Sequence, residues 1–245
     1  MKLEILKNAL LKIKTRFLDL LFPIECLGCG GENDWLCQEC LAKIKYKKIE
    51  QCVVCKETTV FGQTHTSCRE KTALDGMIVA AEWEDKILQE AIHKYKYNFV
   101  QGLAEPLSKI LIQKIKRLEQ LALWQGQKIV LMPVPLHKKR YHWRGFNQAA
   151  LLAARVAKYF GWETQDLVLK RERYTKPQAK LKKEERERNM VGAFGASAIT
   201  SEHASETVVI LVDDVVTTGA TMNECANILK ANGVKTVWGL ALARG

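Results

Sequence analysis

The sequence predicts a doubly wound α/β domain with a mainly parallel sheet, carried behind a small cysteine-rich module. From residue 77 onward, short apolar runs alternate with stretches of helical periodicity. Seven of the eight cysteines fall between Cys26 and Cys68, each in a Cys-x2-Cys or His-x2-Cys pair. The 245 residues, 47% of them hydrophobic, suffice for one sizeable core and an appendage but not for two large domains. The expected division is an amphipathic helix over 1–25, a cysteine-rich module over 26–72 and the α/β domain over 73–245.

In the first segment Leu3, Leu6, Leu10, Ile13, Phe17 and Leu20 recur at steps of three and four, with lysines on the other face. This reads as a helix packed on its own domain. Lys7, Lys12, Lys14 and Arg16 interrupt what would be the apolar centre of a signal peptide. No apolar run is long enough to cross a bilayer, so the expected location is cytoplasmic.

The α/β pattern begins with a strand over Gly76–Ala81, followed by helices near 84–97 and 100–121. Lys128–Met132 is a short buried strand that stops at Pro133. A helix from about Asn147 to Phe160 places Ala149, Leu152, Val156 and Tyr159 on one face and stops at Gly161. Leu167–Leu169 reads as a strand, and the charged stretch 170–190 as an exposed loop with one helical turn. Thr207–Val212 is a continuous apolar strand. A helix over about 219–231 closes at Asn232-Gly233, and Val234–Ala243 is the last strand.

The sharpest motif runs from Val209 to Thr221: four apolar residues, the acid pair Asp213-Asp214, then Thr217-Thr218-Gly219-Ala220-Thr221 opening a helix. Ligands of open α/β sheets sit at the carboxyl ends of strands. N–H groups at a helix start have no internal partner and bind phosphate, and the threonine hydroxyls add donors. Ionised carboxylates accept from vicinal hydroxyls. A phosphorylated sugar satisfies all three conditions.

This segment resembles the signature of type I phosphoribosyltransferases for 5-phosphoribosyl-1-pyrophosphate (PRPP). Pro133-Val134-Pro135-Leu136-His137 through Arg140, with Arg144-Gly145-Phe146-Asn147-Gln148, is similar to a block of the ComF family of natural-competence proteins. So are Thr175, Gln178, Leu181, Arg186, Asn189 and Phe194, and the Ala243-Arg244-Gly245 ending. The resemblance implies a type I phosphoribosyltransferase-like fold in which Asp213 and Asp214 hold the ribose hydroxyls and Thr217 to Thr221 the 5′-phosphate. Mg²⁺ would bridge ribose and pyrophosphate. Pro135, Leu136, His137, Arg140 and Arg144 would form the pyrophosphate loop, and the 175–194 block would lie in the long loop that covers the site. Purine-salvage members carry Asp where this chain has Thr217, which argues against purine salvage; a threonine is no general base at neutral pH without activation. Whether any transfer occurs stays open, as does the acceptor.

Cys26, Cys29, Cys37 and Cys40 form one ligand quartet; Cys52, Cys55, His65 and Cys68 form a second. Thiolate and imidazole ligands in fours favour tetrahedral Zn²⁺ in closed, structural sites, one or two ions in all. A double zinc ribbon also fits the ComF resemblance. Cross-brace pairing of the four pairs is equally compatible with the spacing, and His65 can also be read as a surface residue. Cys225, alone in the last helix, reads as core.

A formal charge of +11 favours polyanions. Lys138, Lys139, Tyr141 and Trp143 interleave cations with rings, the combination that holds single-stranded nucleic acid. Lys176, in the basic run 170–188, and Lys43 to Lys48 are further candidates. The family resemblance implies a role on incoming single-stranded DNA with a ComFA-type helicase as partner.

Overall fold

The computed structural model describes residues 23–118, 124, 126–175, 185, 189–197 and 206–245. The expected N-terminal helix, Lys176, and Gln178, Leu181 and Arg186 of the 175–194 block lie outside the described residues, apart from the last three positions of the helix. The chain divides into two compact units, Met1–Ile44 and Lys45–Gly245. The first cysteine quartet and the short helix α1 (Gln38–Ala42) belong to the first; the second quartet belongs to the second.

The larger unit is built on β1 (Gly76–Ala81), β2 (Lys128–Pro133), β3 (Glu163–Thr164), β6 (Thr207–Val216) and β7 (Thr236–Arg244). They form one sheet in the order β1-β7-β6-β2-β3, parallel throughout. A two-stranded antiparallel ribbon, β4 (Leu169–Arg171) with β5 (Phe194–Ala196), stands apart from it. The larger unit's α-helices with described bounds are α2 (Lys86–Tyr97), α3 (Ala104–Arg117), α4 (Lys138–Arg144), α5 (Gln148–Phe160) and α6 (Ala220–Ala231). No helix among the described residues is long and apolar enough to cross a membrane.

Local chemistry sets the helix limits. The Asp85 carboxylate accepts from the Leu88 N–H at 3.0 Å and starts α2, which buries Leu88, Ala91, Ile92 and Tyr95 at helical spacing. Asn147 caps α5 by accepting from the Ala149 N–H at 3.0 Å, and its amide donates to the Val134 carbonyl. Gly161, left-handed at φ 71°, ends that helix as expected.

Strand alternation divides the core between two faces of the sheet. Met77, Val79, Val130, Met132, Val209, Leu211, Val237 and Ala241 share one buried cluster with Met222, Cys225 and Leu229 of α6. Cys225 is therefore core, as read from the sequence. Ile78, Leu131, Ile210 and Leu240 are fully buried on the opposite face, where α3 and α5 pack.

Three sequence expectations are corrected, and one strand was not anticipated. The β6 strand runs four residues past Val212, because β7 pairs with it as far as Val216↔Arg244. Leu167 is 77% exposed, and the strand read over 167–169 starts only at Leu169. Glu163–Thr164 is a short strand beside β2 that carries no apolar signal. Residues 138–144 form a helix where a loop was expected.

A candidate phosphoribosyl site at the sheet's switch point

From β2 the chain travels outward to β3, and from β6 it travels outward to β7. The switch point of the sheet therefore lies between β2 and β6, where open α/β sheets hold ligands. Pairing between these strands ends at Pro133↔Val212, closed by the Val134 N–H to the Val212 carbonyl at 2.9 Å. Beyond that point β6 continues alone on this side, and its next two residues are Asp213 and Asp214.

A cleft of about 1100 Å³ opens there. Asp213, Asp214, Thr217 and Thr221 line it from β6 and α6, and Leu136, Lys139, Arg140, Trp143 and Arg144 from the β2 side. The acid pair and the basic segment, about 70 residues apart in sequence, thus meet across one cavity. Thr218, Gly219, Ala220, Pro135, His137, Lys138 and Tyr141 do not line it directly. Gly219 is the N-cap of α6, the Thr218 hydroxyl before it accepts from the Ala220 N–H at 3.3 Å, and His137 caps α4 through its Nδ1.

Alternation sends the two carboxylates to opposite faces. Asp213 shares its face with Leu211 and α6. Asp214 points to the α2 and α5 side, where its Oδ1 pairs with Lys96 Nζ at 2.7 Å and accepts from the Val215 N–H at 2.6 Å. Asp214 Oδ2 is buried with no hydrogen-bond partner. Asp213 Oδ1 accepts from the Asp214 N–H at 2.8 Å. Burial, with the negative charge of Asp214 next, pushes the Asp213 carboxyl up to about 7.

The basic groups of the cleft are Lys86, Lys96, Lys139, Arg140, Arg144 and Arg171, against the acids Glu90, Asp213 and Asp214. That excess favours an anionic ligand. Arg144 is buried, and its Nε and Nη1 have no partner. Burial pulls its pKa down from the usual arginine value, opposed first by Asp214. Arg171, on β4, is lowered to about 10 by burial and then by Arg140. It donates to the Thr175 hydroxyl, while Arg140 donates to the Thr175 carbonyl at 3.0 Å. Both arginines therefore hold the start of the 175–194 block against the cleft.

Sequence reasoning missed Lys96 and Arg171. Lys96 lies in the last turn of α2, 118 residues from its carboxylate partner, and no local pattern marks it. The cleft also extends along α2 to Trp83 and His93. Beside it Tyr97, Phe99 and Trp143 form an exposed aromatic cluster, Trp143 and Phe99 edge to face at 4.9 Å.

Both cysteine quartets assemble. In each, the four ligand atoms lie within 4.8 Å of one another, in sequential and not cross-braced grouping. A tetrahedral zinc with Zn–S of about 2.3 Å sets its sulfurs about 3.8 Å apart. Cys29 and Cys37 Sγ are 3.8 Å apart, and Cys55 Sγ is 3.2 Å from His65 Nδ1. The His65 Nε2 lies 3.2 Å from the Thr58 carbonyl, the outer contact that orients a ligating imidazole. His65 is thus part of the second quartet, and the donor sets fit zinc.

A parallel sheet with an acid pair at its switch point, a phosphate-type loop and a facing basic segment defines a phosphoribosyltransferase-type domain. The sequence model described as "Phosphoribosyl transferase domain" matches residues 147–243. Competence protein F of Haemophilus influenzae is 30% identical over 233 residues, which is 91% of this chain and 98% of that protein. The chain belongs to the competence protein F family. Competence protein ComFC of Streptococcus pneumoniae is 24% identical over 240 residues, covering 90% of this chain and all of that protein. DNA utilization protein YhgH of Salmonella typhimurium is 34% identical over 157 residues, 62% of this chain and 65% of that protein.

Proposed function

We propose that this protein serves natural transformation by handling incoming single-stranded DNA, and that its cleft holds PRPP with Mg²⁺. The observation that carries the PRPP reading is the convergence of Asp213, Asp214, Thr217 and Thr221 with Arg140 and Arg144 on one cavity at the switch point. In this reading the carboxylates accept from the ribose hydroxyls and the start of α6 receives the 5′-phosphate. Arg140 and Arg144 of α4 neutralise the diphosphate. Mg²⁺, when bound, supplies charge neutralisation between ribose and diphosphate.

The DNA reading is supported by the names and similarity of the relatives, by the +11 charge and by the exposed rings of Tyr97, Phe99 and Trp143 beside Lys139. Zn²⁺ in both quartets would be structural, since four protein ligands leave no position for substrate. A ComFA-type helicase as partner and action in the cytoplasm follow from this role.

Calorimetry of zinc-loaded protein tests both halves. The Asp213→Ala/Asp214→Ala double variant should lose PRPP binding and keep its affinity for a short single-stranded oligonucleotide. Loss of oligonucleotide binding by the folded double variant would contradict two separate sites.

A second reading, transfer of phosphoribose to a nitrogenous acceptor, is favoured by the extension of the cleft to Trp83 and His93, beyond the carboxylates. It requires acceptor-dependent release of pyrophosphate from PRPP, and no release across a broad acceptor panel would exclude it.

A further inference from the structure

The α2 and α5 side of the cleft contains polar groups that the protein itself leaves unused. Asp214 Oδ2, Gln148 Oε1 and the Nε and Nη1 of Arg144 are all buried without hydrogen-bond partners. Asp214, Gln148 and Arg144 are each more than nine-tenths buried, and all three line the cleft. Buried polar atoms of this kind are costly unless a ligand or water satisfies them. The set is specific in its chemistry: two acceptors, which call for hydroxyl donors, beside two guanidinium donors, which call for an anionic oxygen.

Lys96 completes this set. Its side chain is 20% exposed and places Nζ 2.7 Å from Asp214 Oδ1, and it lies in the last turn of α2, where the helix end favours a cation. An ammonium has three donors, and the pair with Asp214 uses one. Tyr95, one residue earlier, is fully buried and donates to the Gln148 carbonyl at 2.9 Å, so α2 is fastened to the start of α5 next to the site. Lys96 is therefore held at the cleft by its own helix and not by a loop.

Resting on the PRPP reading, we infer that Lys96 is a ligand-binding residue of this site: together with Arg144 it takes the diphosphate, while Asp214 Oδ2 accepts from the hydroxyl beside it. Lys96 keeps its bond to Asp214 and bridges that carboxylate to the phosphoryl oxygens. The ligand class is a sugar bearing a diphosphate next to a free hydroxyl. The diphosphate subsite thus includes α2, which lies before the 147–243 phosphoribosyltransferase match.

Three probes separate this role from a structural one: PRPP, inorganic pyrophosphate and ribose 5-phosphate, each titrated into zinc-loaded full-length protein with Mg²⁺. Lys96→Met should weaken PRPP and pyrophosphate at least tenfold and leave ribose 5-phosphate within threefold, with an unchanged melting curve. Lys96→Gln, which keeps a hydrogen-bond donor without the charge, decides the matter if the methionine variant does not fold, and should show the same selective loss. Lys96→Arg should restore pyrophosphate binding. Equal weakening of all three probes, or no weakening of any, overturns the assignment while the PRPP reading stands. Wild-type protein that binds none of the three overturns the PRPP reading and the assignment together.

Discussion

Gly219, at the head of the candidate phosphate loop, faces Val53, which stands between the first two cysteines of the second quartet. A Cβ on Gly219 would lie 3.1 Å from Val53 Cγ2, and Gly219 adopts φ 89°. Arg244 ties the same two segments together, donating from Nε to the Thr217 carbonyl at 3.3 Å and from Nη2 to the Val53 carbonyl at 3.2 Å. The candidate phosphate loop is therefore built against the segment that carries Cys52 and Cys55. Gly219→Ala should destabilise the protein by about 1–2 kcal/mol, from the left-handed backbone and the tight contact combined. Thermal melting checks this; an unchanged midpoint would mean the loop has freedom this packing denies it.

Metal removal should act on the same loop. Asn223, in the first turn of α6, accepts through Oδ1 from the Thr72 hydroxyl at 2.7 Å and the Ala73 N–H at 2.8 Å, just after Cys68. An ion held by the second quartet would fix the backbone on either side of Val53 and before Thr72. Chelation, or Cys52→Ser with Cys55→Ser, should raise amide hydrogen exchange across 217–223 and weaken PRPP binding. Exchange in that segment that is indifferent to metal would refute the link.

The Asp213 carboxyl gives a pH signature. Its pKa rises from 3.8 to about 7 through burial and then the charge of Asp214. Between those values the folded protein holds a proton that the unfolded chain has released. The contribution is fully present below about pH 4 and is lost as pH rises toward 7. Asp213→Asn cannot ionise, so it should gain on the wild type across pH 4 to 7 and hold that gain above. Denaturant titrations at several pH values measure the difference, and a gap independent of pH would contradict the raised carboxyl.

Lys114 and Glu50 form an ion pair, both side chains buried, and Lys114 Nζ also donates to the Lys47 carbonyl at 2.6 Å. The pair anchors the segment leading into the second quartet on α3. Lys114→Met alone strands a buried carboxylate and should cost about 3 kcal/mol or more. Adding Glu50→Gln should recover part of that loss, whereas simple additivity in urea unfolding would argue against the coupling.

For nucleic acid, Trp143→Ala should weaken binding of a short single-stranded oligonucleotide by about 1–3 kcal/mol, the worth of one stacked base. The same variant should leave pyrophosphate affinity within a few-fold. Fluorescence anisotropy with a labelled oligonucleotide reads the effect, and unchanged binding would move the DNA surface elsewhere.

Much of this was legible in the sequence because it is local. The apolar run 207–212, the cap at Asn147 and the stop at Gly161 are written in neighbouring residues, and so is the spacing of the cysteines. What escaped depends on distant partners. The β6 strand continues through two aspartates because β7 supplies its hydrogen bonds as far as Arg244. The α4 helix carries basic and aromatic residues with no apolar stripe, since it borders a cleft and not the core. Leu167 to Leu169 has strand composition, but only Leu169 is buried. The Lys96–Asp214 pair joins two elements on opposite sides of the β2 strand in sequence, and nothing near either residue announces the other.

The most direct measurement is a crystal structure of the zinc-loaded protein grown with PRPP and Mg²⁺. On the PRPP reading the 5′-phosphate lies at the start of α6, the ribose hydroxyls on Asp213 and Asp214, and the diphosphate against Arg144 and Lys96. A cleft that remains empty at millimolar PRPP, or PRPP bound at another surface, would contradict it.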